Sequence, residues 1–566
     1  MENPLVASMA VTARLAALTD ATQRLFFASV CTGWSNAWKQ HLLLATSTTD
    51  PKQQPSRVDN NSGSARDGSA RVDNNNGSAR NGSAVATATS VSYNSGFGNH
   101  FSTEALPGAL PAGQNNPKRC PYGLYAEQIS GTAFTAPRAR NRRTWCYRIR
   151  PSVSHRPFQS VAANPFENDF IAMKNDPSQM RWSPLPIPSR VKQKMRVDFI
   201  EGISTMGGVG DPAAKSGLGI YLYAMNSDMG DKAFYNADGE MLLVPQQGSL
   251  RVKTEMGILL VVPNEILVIP RGVKFSVDLG IAESGARGYV LETFEGHFLL
   301  PELGPIGSNG LANPRDFESP VAWYEDRDVP YTVLTKFGGK LFSSAMDHSP
   351  FDVVAWHGNM TPYKYDLRKF ICINSVSKDH PDPSIYTVLT CPSAATPGVA
   401  VVDFVVFPPR WMVAEGTFRP PWYHRNTMTE FMGMVWGKYD AKQGFLPGGS
   451  SLHPSMSAHG PDAATFIGAS DEKKAPLPVK FDKGLAFMFE TKYQLKLTAS
   501  ATEGKHRDQE YLECWRHLLA QELHPRCQVK PFMALSSSGN AVELVINFEF
   551  SFSSRGRVPR MAWTEL

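Results

Sequence analysis

Hydrophobic residues in this chain come in short, dense runs broken by glycine and proline. Residues 240–275, EMLLVPQQGSLRVKTEMGILLVVPNEILVIPRGVKF, read as successive β-strands, with Gly248, Gly257, Pro263–Asn264 and Pro270–Gly272 between the runs. A second set opens near Tyr386 with IYTVLT and continues through VAVVDFVVFPP, FMGMVWGKYD and LAFMFE. Each set is the right size for a sandwich or small barrel, and the boundary between them falls at about residue 345. Helical spacing is clearest at 509–523, QEYLECWRHLLAQEL.

The first 92 residues differ in kind. Residues 4–47 are rich in Ala, Ser, Thr and Leu, with Arg14, Arg24 and Lys39 against Asp20 alone. Two readings stay open, a helical organellar presequence and an unstructured extension. Residues 57–70 and 71–84 are a tandem duplication identical at 12 of 14 positions. The unit has almost no apolar side chain, so stacked copies would bury nothing, and we read it as a flexible linker.

Composition narrows the class. Of the 566 residues, 42 % are hydrophobic and 19 % charged, ordinary globular usage, while Gly (45), Pro (42) and Phe (31) favour many turns between aromatic-rich strands. The net charge of +5 and the lack of a long Lys/Arg run argue against nucleic acid as a partner. The densest basic cluster, Arg138, Arg140, Arg142, Arg143, Arg148 and Arg150, reads as solvated or ion-paired surface. No apolar run of about 18 residues occurs, so no membrane span is expected. Seven scattered cysteines without C-x-x-C spacing fit a reducing, cytoplasmic setting.

The chemistry gathers in one stretch: His424, Glu430, His453 and His459. Two imidazoles and a carboxylate on one face of an ion leave positions open, which suits Fe(II) holding both a substrate and dioxygen. One straight strand cannot present both His424 and Glu430, because six residues span about 20 Å at ~3.3 Å each. A helix fails too, since six steps of ~100° put them on opposite sides. The segment must fold back, and Asn426 is the natural turn residue. Spacing alone leaves His453 and His459 as equal choices for the third ligand. Any single histidine is more often a hydrogen-bonded structural residue than a ligand. The chain has no G-x-S-x-G elbow, P-loop or H-E-x-x-H, and Gly96-Phe97-Gly98 is only a fragment of a nucleotide fingerprint.

FRPPWYHRNTMTEFMG (418–433) resembles the iron-binding segment of homogentisate dioxygenases. SGFGNHF (95–101), GPIGSNGLANPRDF (304–317), SPFDVVAWHGNMTPYKY (349–365) and FLPGGSSLHPSMSAHGPD (445–462) resemble other segments of that family, in family order. The resemblance runs from about Tyr93 to Leu523. It implies a mainly β, cupin-like fold with an N-terminal β-sandwich over 93–345 and a C-terminal jelly-roll barrel carrying iron over 346–525. Residues 1–92 and 526–566 then stand outside as an extension and a tail. It further implies Fe(2+) held by His424, Glu430 and His459, His357 as general base, and Tyr439, His459 and His453 beside the substrate. The substrates would be homogentisate and O2, and the assembly a homohexamer, a dimer of trimers. The loop QGFLPGGSS is one residue shorter than the family pattern. Alternatives are a dioxygenase for another hydroxylated aromatic acid and a non-catalytic cupin that binds or stores a ligand.

Since the resemblance begins only at about Tyr93, deleting residues 1–90 is expected to leave a soluble chain with full oxygen uptake. Aggregation of the truncated protein, seen by size-exclusion chromatography, would make the extension structural.

Overall fold

The computed structural model describes residues 91–520, apart from 114–115, 190–194, 305–309, 374–385, 414–421, 472 and 475–476. It also describes the backbone of the strands Met9–Thr12, Lys530–Ser538 and Ala541–Glu549. The presequence reading of 4–47, beyond that first strand, and the linker reading of 57–84 lie outside the described residues. Two compact units emerge, Val85–Leu518 and a second built from Met1–Ala84 with Leu519–Leu566. In the second unit the three strands form one sheet with Ala541–Glu549 in the middle.

The first unit is mainly β, and three of its sheets organise it. The central one has nine strands, among them Ser216–Met225, Glu240–Gln247, Glu265–Ile269 and Ala286–Thr293. Its two faces enter different cores. Leu218, Ile220, Leu222, Leu242, Val244, Ile266 and Val268 pack with residues of a six-stranded sheet, including Val402, Phe404, Phe431 and Phe487. Their neighbours Tyr221, Tyr223, Met241, Leu243, Leu267 and Ile269 pack with Val252, Leu259, Phe275 and Val277 of a seven-stranded sheet. Side chains alternate faces along a strand, so a strand buried on both faces must be apolar throughout. That accounts for the unbroken runs at 240–269. The breaks fall where the backbone needs them, with φ of +78° at Gly248 and +80° at Asn264.

The six-stranded sheet carries the candidate chemistry. Its order is Thr387–Pro392, Ala400–Phe407, Gly484–Thr491, Thr429–Gly437, Ser450–His453 and Met180–Trp182, antiparallel throughout. The Tyr289 hydroxyl ties it to the central sheet by donating to the carbonyls of Gly449 (2.8 Å) and Met434 (3.2 Å). Gly433 leaves room for the rings packed there, for a Cβ would lie 2.3 Å from Phe487 of the neighbouring strand and 3.0 Å from Tyr289 of the central sheet.

Two sequence expectations change. The 509–523 pattern forms no α-helix among the described residues; Tyr511–Trp515 is a single 3-10 turn. Tertiary anchors override the local pattern here: Tyr511 is buried and accepts from Lys442, while the Trp515 indole donates to the Pro461 carbonyl. Arg148, expected at the surface, is fully buried and pairs with Glu127, Glu255 and Asp352. Five described cysteines are free thiols, and no described helix is long and apolar enough to cross a membrane.

Phe431 is wholly buried between Trp182 and Phe489 on the strand that bears Glu430. Phe431→Ala is expected to cost about 3–5 kcal/mol, read as a lowered denaturant midpoint.

Candidate metal centre

Glu430 lies at the start of Thr429–Gly437, where the ladder sets it directly opposite His453 on one side and Glu490 on the other. His424 arrives from the preceding loop and joins His459 in a two-residue bridge, His424 N–H to His459 O at 2.9 Å and His459 N–H to His424 O at 3.0 Å. Between His424 and Glu430 the chain folds back at Asn426, whose Oδ1 accepts from the Met428 amide (3.0 Å). The same side chain turns its amide nitrogen to Glu430 Oε1 (3.0 Å) and Glu490 Oε1 (2.7 Å).

Two ring nitrogens and both carboxylate oxygens then converge. His424 Nε2 lies 3.4 Å from Glu430 Oε1, and His459 Nε2 lies 3.0 Å from Oε2. The ligand atoms of the three residues all lie within 4.8 Å of one another. His459 Nδ1 donates to the Ser457 carbonyl (2.9 Å), which in the neutral ring leaves a lone pair on Nε2. That lone pair faces a carboxylate oxygen, an acceptor against an acceptor, and a cation between them resolves the conflict. The donor set is nitrogen and oxygen without thiolate, which fits a divalent ion of the iron type better than a structural zinc. Burial by itself would raise the Glu430 carboxyl, but the side chains of His424, His453 and His459 around it outweigh burial and hold the group well below the usual carboxylate range.

His453 sits beside this set rather than closing it. Its ring stacks on His459 with centroids 4.2 Å apart. Nδ1 faces Glu430 Oε2 at 3.3 Å and Nε2 faces Lys442 Nζ at 2.8 Å. Burial, with the Lys442 charge behind it, pushes the imidazole down to about 3, so the ring is neutral. Tyr439 is packed edge-on to Phe407 and Phe445, near enough for the Glu430 charge to act on its phenol. Burial raises that phenol further, so it stays protonated and can donate.

His357 belongs to a different sheet. It lies on Val353–Gly358 in a four-stranded sheet, between Ser102 and Trp145 in register. Its Nε2 lies 3.2 Å from the Tyr147 hydroxyl, and burial together with the charges of His100 and Arg143 lowers its pKa. Within the chain no described hydrogen bond links it to the His424–Glu430–His459 group. The residues that sequence reasoning missed are Glu490, Lys442 and Tyr511. Tyr511 lies 58 residues from His453 along the chain, and no local spacing announces it.

A β protein that gathers two imidazoles and one carboxylate about a single open point belongs, as a class, with mononuclear metal enzymes of the His/His/carboxylate kind. The family model described as homogentisate 1,2-dioxygenase N-terminal matches residues 92–367, and its C-terminal counterpart matches 368–522. The homogentisate 1,2-dioxygenase of Homo sapiens is 54 % identical over 434 residues, 76 % of this chain and 96 % of that protein. The chain belongs to the homogentisate 1,2-dioxygenase family. Solved structures with a weaker likeness include protein Ylba from E. coli (9 % identity, 59 % of this chain and 100 % of that one, TM-score 0.24). A cupin 2 conserved barrel protein from Leptotrichia buccalis is similar at 9 % identity over 56 % of this chain and 100 % of its own, TM-score 0.21. At such scores neither bears on function.

His424→Ala, Glu430→Ala and His459→Ala are each expected to abolish iron binding, measured as metal content of purified protein, whereas His453→Ala, though of lower affinity, still carries most of its iron as purified. Iron-free His453→Ala beside fully loaded His459→Ala would reverse the assignment.

Proposed function

We propose that this protein opens the ring of homogentisate with dioxygen to give maleylacetoacetate, in the breakdown of tyrosine and phenylalanine, using Fe(II) held by His424, Glu430 and His459. The observation that carries the reading is the convergence of those three side chains in a chain whose family match runs through both halves. Both oxygen atoms enter the product, so no external reductant is needed.

When bound, Fe(II) supplies the positive charge that acidifies a phenol and the open positions that bring substrate and O2 together. The protein's own groups prepare that point. Asn426 and His453 hold the Glu430 carboxylate from either side, so that it cannot rotate away from the centre. The Ser457 carbonyl fixes the His459 ring with Nε2 inward. Tyr439 presents a protonated hydroxyl in the same neighbourhood, fit to donate to an oxygen of the substrate. By the same family reading the protein assembles as a homohexamer, a dimer of trimers, which light scattering on the purified protein tests.

A general base must come within hydrogen-bond reach of the proton it removes. The geometry within the chain gives His357 a Tyr147 partner instead, so a structural role fits it better than the base role implied by resemblance.

Oxygen consumption by iron-loaded protein is expected with homogentisate and not with gentisate; uptake with gentisate alone would transfer the activity to a different hydroxylated acid. His357→Asn is expected to keep iron and near-normal turnover. A fall of about 10²–10⁴-fold with iron retained, the usual effect of removing a general base, would restore His357 to the chemistry.

A further inference from the structure

We propose that Lys442 is a positioning residue for the metal centre: its ammonium, by donating to Nε2 of His453, holds that ring as the Nδ1–H tautomer and so aims a hydrogen bond at the Glu430 carboxylate. The inference rests on the reading of His424, Glu430 and His459 as the metal site.

Lys442 is buried, and among the described residues it forms no salt bridge with a carboxylate. Its ammonium has donors only. One goes to His453 Nε2 (2.8 Å) and one to the Tyr511 hydroxyl (2.9 Å). The charge also lies over the rings of Tyr511 (5.6 Å) and Trp515 (5.5 Å), faces that favour a cation. Burial pulls the amine down to about 8, which leaves it protonated at neutral pH.

The consequence for His453 follows from its two nitrogens. A donor at 2.8 Å from Nε2 demands a lone pair there, so the ring's single proton must sit on Nδ1. Nδ1 lies 3.3 Å from Glu430 Oε2. The opposite tautomer would set N–H against ammonium on one side and lone pair against carboxylate on the other. Tyr511 steadies the donor: Arg181 covers its ring at 4.8 Å and is itself paired with Asp508. Groups that orient a metal's ligands from behind typically change metal affinity about 10–100-fold when removed.

The test begins with wild-type full-length protein containing isotope-labelled histidine and loaded with Zn(II), a diamagnetic occupant. Solid-state NMR reads each ring's tautomer, and His453 is assigned by the signal missing in His453→Gln. A neutral Nδ1–H ring at His453 is expected; an Nε2–H ring or an imidazolium overturns the proposal, with no Lys442 variant needed. Lys442→Met is then expected to lower Fe(II) affinity about 10–100-fold in chelator competition and to release His453 into the other tautomer, while Lys442→Arg retains the donor and recovers most of the affinity. A folded Lys442→Met protein with wild-type affinity and an unchanged His453 tautomer overturns it as well. Failure of the metal assignment shows separately, as Glu430→Ala that still binds iron.

Discussion

A carboxylate removed from water is tolerated only where other groups replace its hydration, and Glu430 imposes that requirement on everything around it. Its side chain is 7 % exposed, and its two oxygens face four partners: His424 and Asn426 at one, His453 and His459 at the other. Asn426 and His453 act as donors to it, and neither can be withdrawn without leaving a buried charge short of one. His459 cannot serve without a cation, because the inward nitrogen of its neutral ring is itself an acceptor. The same demand that makes the site costly to fold therefore favours a cation among these groups, as the proposed function requires.

The fold meets the demand through register. Antiparallel pairing sets Glu430 opposite both His453 and Glu490, while the Tyr289 hydroxyl fastens the ligand-bearing sheet to a central sheet buried on both sides. Side chains held this way need little rearrangement to receive an ion or a substrate, which is what the proposed function requires of them. His459, like His424, comes from a loop. That loop is secured by the backbone bridge to His424, by Asp462 capping the next helix, and by the Trp515 indole on Pro461.

Much of this arrangement is legible in the amino-acid sequence. Runs at 240–269 announce strands, and the reach of an extended chain shows that 424–430 must fold back, with Asn426 as the pivot. What sequence patterns convey poorly is anything decided by distant contacts. The 509–523 segment has helical spacing, yet Tyr511 and Trp515 are claimed by Lys442 and Pro461 and the helix gives way. Arg148 looks like surface charge and is buried because three carboxylates surround it. His357 carries a role by resemblance, while its contact with Tyr147 appears only in the folded chain. Lys442 stands out in no pattern at all, since a lysine near a glycine-rich loop is ordinarily solvated.

The connection between the two central strands has a bearing on how such sequences diverge. Pairing runs from Glu430 opposite His453 to Gly433 opposite Ser450 and continues in hydrogen bonds between Met434 and Gly448–Gly449, and residues 443–447 lie beyond it. Losing or gaining a residue there shortens or lengthens a hairpin's tip and leaves both paired residues where they were. The stretch from His424 to Glu430 has no such slack, because a shift of one position would turn the carboxylate toward the opposite face. Lineages can thus be expected to drift in length at the glycine-rich tip and to keep the six-residue step before Glu430 fixed.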